Sequence, residues 1–126
     1  MRKRFVMLGI LLMLVTVLTS CTANGGWIML SSSSTDNGWT LTAKSADTGE
    51  SHFADLDDAA LAAFQVKSTS STGKSFLTIT QGDTEISIDI SGEFDENIDM
   101  SGFEPGQIKF HLNFEKANDV DVAISW

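Results

Sequence analysis

Two stretches of this chain alternate apolar and polar residues with a period of two, and that alternation restricts the fold more than any other feature. Leu77, Ile79, Ile86 and Ile88 alternate with polar partners around Gly82-Asp83, a pair suited to a two-residue hairpin turn of the Gly-X type. That turn fixes a register in which Gln81 faces Thr84, Ile79 faces Ile86 and Leu77 faces Ile88. On the opposite face Thr80 then meets Glu85, Thr78 meets Ser87 and Phe76 meets Asp89. One face comes out apolar and the other almost wholly polar, and a one-residue slip would destroy that division. The second stretch runs from Ile108 to Trp126. Ile108, Phe110, Leu112 and Phe114 precede Lys116-Ala117-Asn118-Asp119, and Val120, Val122, Ile124 and Trp126 follow it. Taking the four middle residues as a turn predicts a second hairpin, with Phe114 opposite Val120 and Ile108 opposite Trp126.

The rest of the chain supplies shorter pieces of the same kind. Trp39, Leu41 and Ala43 alternate with Thr40, Thr42 and Lys44. Asp47-Thr48-Gly49 punctuates the chain before a short return strand at Ser51 to Ala54. Leu56, Ala60, Leu61 and Phe64 fall at helical spacing behind Asp55 as a cap, which predicts at most one short helical turn near 56–62. A strand follows from about Ala62 to Thr69. Ser91 to Gly106 is rich in turn formers and has room for one further strand. Six to eight short strands with little helix predict an all-β fold, a two-sheet antiparallel β-sandwich of jelly-roll or immunoglobulin-like type.

The first residues are of a different nature. Arg2, Lys3 and Arg4 precede Phe5 to Leu18, a run without charge. As a helix it would span roughly 21 Å, short of a ~30 Å hydrocarbon core, so it reads as an export signal rather than a membrane span. Leu18-Thr19-Ser20-Cys21 closes it. These four residues resemble the lipobox of bacterial lipoproteins, with a branched apolar residue three positions before a cysteine and small residues between. The resemblance covers residues 1–21 and implies cleavage before Cys21 and a diacylglyceryl group on its sulfur. It further implies an extracytoplasmic, lipid-anchored protein of the cell envelope. Thr22 is not the Asp that retains such proteins at an inner membrane, so a two-membrane cell would deliver it to the outer membrane. In a single-membrane cell it would sit on the outer face. The domain plan is a signal peptide over 1–21, a flexible Ser/Gly-rich tether over 22–38, and a β-sandwich domain over 39–126.

Cleavage would remove three of the eight basic residues and no acid, leaving five lysines against seventeen acids and a formal charge of −12. So acidic a surface repels nucleic acid, which is excluded as a partner. Cys21 is the only cysteine, so the domain must be held by its core without an internal disulfide.

Motifs that would carry chemistry are few. Asp95, Asn97 and Asp99 place oxygen ligands on alternate residues, as at the start of a calcium loop. Met100 stands where an EF-hand needs Gly and Gly106 where it needs Glu, so only a looser structural calcium site is considered. His52 and His111 share no metal-ligand spacing, and no nucleophile elbow accompanies the many serines. The expectation is therefore a non-catalytic protein without a required cofactor. Phe76, Asp89, Phe94, Phe103 and Asn113 form the predicted ligand-facing set, because they combine aromatic faces with polar groups outside the predicted core. The functional expectation is a small module that binds a ligand, a glycan above all. The alternative is an envelope protein-interaction or assembly factor, with a hydrolase third.

Overall fold

The computed structural model describes residues 26–126; the expected export signal and Cys21 lie outside the described residues. Nine strands form one antiparallel sheet: β1 (Trp27–Ile28), β2 (Ser31–Thr35), β3 (Gly38–Ala46), β4 (Gly49–Leu56), β5 (Gln65–Thr69), β6 (Thr72–Gln81), β7 (Thr84–Asp89), β8 (Phe94–Asn97) and β9 (Gly106–Ser125). One short helix, α1 (Asp58–Ala62), joins β4 to β5. The fold is all-β, as the alternation requires.

The β6–β7 hairpin has the register set by its turn, from Gln81 opposite Thr84 to Phe76 opposite Asp89. Gly82 takes a φ of 58° and Asp83 does not turn positive, which is the II′ pattern. The second predicted hairpin does not exist. Residues 106–125 form a single twenty-residue strand that passes straight through Lys116–Asp119. Lys116 (φ 49°) and Asp119 (φ 52°) adopt left-handed conformations that bend the strand without reversing it. Phe114, Ala117 and Val120 keep their side chains inward at spacings of three, so the inward face survives the bend.

Every long run makes the same bend. β3 and β4 follow one another along one edge of β9, from Gly38 opposite Ser125 to Leu56 opposite Gly106. β5 and β6 line its other edge, from Gln65 opposite Ser125 to Thr80 opposite Lys109. β7 and β8 lie outside them. The runs cross the bend at Asp47–Thr48, Ser70–Gly73, Ile90–Glu93 and Lys116–Asp119. Polar groups replace the ladder there. The Lys116 N–H donates to Asp47 Oδ1 (3.0 Å), the Ser71 hydroxyl to Asp119 Oδ2 (2.8 Å) and the Gly92 N–H to Ser70 Oγ (3.0 Å).

The sheet thereby folds onto itself. Trp39 and His52 are thirteen residues apart, about 43 Å along an extended chain, yet their rings stack at 5.1 Å. Phe110 and Trp126 likewise meet at 5.5 Å. One creased sheet therefore replaces the two separate sheets expected. One half holds β1, β2, β3, β5, β8 and the end of β9, and the other holds β4, β6, β7 and the start of β9. Leu41, Val66, Val122 and Ile124 from the first half share a single core with Leu77, Ile79, Phe110 and Leu112 from the second.

The structure also moves the domain boundary. β2 pairs with β3 from Ser31 opposite Thr42 to Thr35 opposite Gly38, and β1 continues the same register at Trp27 opposite Ala46. Residues 27–28, 31–35 and Gly38 of the expected 22–38 tether therefore belong to the sheet. Its serines fit there because β2 is an edge strand exposed on both faces.

Candidate functional site

The bends gather at one end of the molecule, and the chain's turns gather at the other. At that far end the Asp36-Asn37 turn, the end of β4, the face of α1 and the entry to β9 surround an open cleft of about 670 Å³. Ligand sites commonly occupy ~300–1,000 Å³. Trp126 lines it, held in place from three sides. Its N–H donates to the Asn37 carbonyl (3.0 Å), its indole N–H to the Asp36 carbonyl (3.1 Å), and its ring stacks against Phe110 and Phe64. Asp36, Asp55 and Asp57 line the same cleft and are exposed. One oxygen of Asp57 caps α1 by accepting the Ala60 N–H (2.8 Å). Ala59, Ala60 and Ala63 keep that wall low.

A second hollow of about 390 Å³ shares Asp36, Asp55 and Trp126, and adds Ser34, Thr35, His52 and Phe53. The two together follow the open side between β2 and β4, neither of which has a further strand beyond it. Phe53 is 55% exposed on that edge. The combination is an aromatic surface flanked by carboxylates and hydroxyls. It can stack on a flat or puckered ring and hydrogen-bond its substituents.

The predicted ligand-facing residues divide. Asn113, Phe76 and Asp89 are direct cross-strand neighbours on the outer face of β9, β6 and β7. In the next row His111 Nδ1 and Ser51 Oγ share a hydrogen bond (2.7 Å), and Thr78 faces Ser87. Beyond it, the Lys109 ammonium stands 5.9 Å over the Phe53 ring. Apart from Phe53, which borders the second hollow, these residues line neither cleft, so the Ser51–His111 pair lies on an open sheet without walls to hold a substrate. Asp89 has its carboxyl held below the ordinary 3.8 by Ser91, through hydroxyl and backbone N–H, and by the nearby Lys74 charge. Phe103 is a correction: it is 6% exposed and belongs to the core, drawn in by the turn in which its N–H bonds the Met100 carbonyl (3.0 Å). Phe94 is half-buried against the same core.

The calcium-loop residues fall in a strand and the turn after it. Asp95 and Asn97 lie in β8, paired to β5, and Asp95 accepts a hydrogen bond from the Gln65 amide (2.9 Å). Asp99 closes a turn with the Ser101 N–H (3.0 Å), and Ser101 holds its carboxyl below the usual range. Among the described residues, no group of three or more His, Cys, Asp or Glu side chains converges to hold a metal.

Asp36, Asp57 and Phe53 carry no sequence signal for this cleft; from sequence, Asp55 is expected only as a helix cap and Trp126 only as a core residue. They come from three separate turns and the chain end, so no local motif joins them. The helix begins at Asp58, so the cap is Asp57 rather than the expected Asp55. No family model, curated protein or solved structure matches this chain.

Proposed function

We propose that this chain is a lipid-anchored envelope protein, tethered through Cys21, that binds a glycan in the cleft beside Trp126 and catalyses nothing. The observation that carries the reading is an indole beside three exposed aspartates, with Phe53 and hydroxyls continuing along the β2–β4 side. Pyranose rings present apolar faces to aromatic side chains and hydroxyls to carboxylates. A shallow open cleft suits a chain end or a short stretch of polymer. The cleft lies at the opposite end from the bends, where the chain leaves toward Cys21. It therefore faces away from the anchoring membrane.

The test is binding of the lipid-free protein, residues 22–126, to an immobilised glycan panel with and without calcium. At least one glycan should bind, and Phe53→Ala with Asp55→Asn should weaken it about tenfold or more, ~1.4 kcal/mol. A blank panel under both conditions would end the reading. The second reading, a protein partner, rests on the free edge of β4. It pairs only with β9 and presents Phe53 outward, a template for strand addition. Glu50, His52 and Asp55 on that strand make it less bare than such edges usually are. Crosslinking in the intact envelope separates the two.

A further inference from the structure

Ile28, Met29, Leu30 and Phe53 are the exposed large apolar residues among those described, and three of them are consecutive. Their exposures are 56%, 77% and 38%. They form a knuckle between β1 and β2 in which Met29 takes a left-handed φ of 54°. The hairpin register runs unbroken on either side of the knuckle, so the strand bows outward there and resumes. Residues on both sides pin it. The Asp47 N–H donates to the Gly26 carbonyl (2.7 Å), and the Trp27 ring meets Phe114 edge-on at 5.6 Å. A left-handed non-glycine residue is costly. Here it holds three apolar side chains in water.

We infer that this knuckle seats the domain on the lipid surface. The occupant is argued from chain length and resting charge, and the inference rests on the lipoprotein reading of Cys21. Six residue steps separate Cys21 from Trp27, a reach of at most about 22 Å even when fully extended. A sulfur-bound acyl anchor therefore cannot leave the knuckle far from the bilayer. Charge favours the same end. Lys44, Lys74 and Lys116, three of the five lysines after Cys21, lie near the bends, beside Asp47, Glu50, Asp89, Glu93, Glu115 and Asp119. The cleft end carries Asp36, Asp55, Asp57, Asp58, Asp83, Glu85 and Glu104 against Lys109. An acidic protein that must approach lipid would do so by its least acidic end. Apolar side chains inserted at the headgroup boundary then fix its orientation while the acyl chains supply the hold.

The experiment uses the lipidated full chain in phosphatidylcholine vesicles, where headgroup charge does not decide the outcome. Met29→Cys introduces a thiol separate from the acylated one, for a polarity-sensitive fluorophore. Thr35→Cys, at the cleft end of the same hairpin, is the control. The inference expects a blue shift at position 29 on vesicles. Iodide quenching there should drop on the order of threefold or more, with position 35 unchanged. Equal quenching at the two positions, in protein that floats with the vesicles, overturns the inference and leaves the anchor intact. Protein that does not float, or lacks the diacylglyceryl mass on Cys21, overturns the lipoprotein reading and the seating with it. Replacing Ile28 and Leu30 by Ser in both the Met29→Cys and the Thr35→Cys proteins should preserve flotation and abolish the difference between the two probes. A retained difference counts against the knuckle.

Discussion

Ser68 and Ser75 are buried in the core with hydroxyls that find no partner. An unsatisfied buried hydroxyl costs ~1–3 kcal/mol. Ser68→Ala and Ser75→Ala are therefore expected to be neutral or to raise stability by up to about 1 kcal/mol, read by urea denaturation; a loss of similar size would show that those hydroxyls are satisfied. Asp89 behaves in the opposite sense. Its carboxyl is held below 3.8 in the folded protein, so its contribution is complete above that value and is lost as pH falls through the lower, folded one. Melting temperatures of the native protein and Asp89→Asn should therefore converge as pH is lowered from about 6 to about 3, whereas a constant gap would remove the Ser91 contact as the cause. Trp126 ties the last strand to Phe64, Phe110 and the Asp36-Asn37 backbone. Deleting it should cost about 3 kcal/mol, as for loss of a large aromatic from packing, and unchanged thermal melts would refute that. Alternation alone places Trp126 on the inward face. Its second role, lining the cleft, depends on turns that only folding brings to it.

At the scale of the element, β9 carries the lesson. Phe114 and Val120 are an even number of residues apart, so they share a face whether the chain reverses between them or bulges and continues. The pattern of apolar residues is the same in both cases. What decides is the pairing available: β3, β4, β5 and β6 need both halves of β9 as the central strand. The bend has its own backbone requirements. Gly73 has a φ of 84°, and a Cβ there would collide with the Lys116 carbonyl. Gly73→Ala should therefore destabilise by about 2 kcal/mol or more, beyond the ordinary left-handed penalty. Lys116→Gly should instead be neutral or stabilising by up to about 1 kcal/mol, because it relieves a left-handed lysine. Denaturant melts of the two variants should move in opposite directions, and a common destabilisation would contradict this account of the bend. The Gly82-Asp83 hairpin was legible in full because its turn type and its alternation are both local and agree.

For the whole molecule, the central strand is the last one made. Chain ending at Glu115 would leave β3 and β5 without their common partner, so the fold needs residues 116–125. The high formal charge acts at the same scale. Raising ionic strength from about 0.01 to about 0.15 M shortens the screening length from ~30 to ~8 Å, and the melting temperature of the 22–126 protein should rise as self-repulsion weakens; a flat response would mean that the charge is already compensated. Composition and periodicity suffice for the all-β class, the inward faces of β3, β6, β7 and β9 and the β6–β7 register, because each depends on neighbours a few residues apart. The crease, the recruitment of Ser31–Thr35 as an edge strand, the burial of Phe103 and the meeting of Trp126 with Asp36, Asp55 and Asp57 are settled by packing alone. They join residues up to ninety positions apart, and no spacing in a one-dimensional pattern records which strands must share a partner.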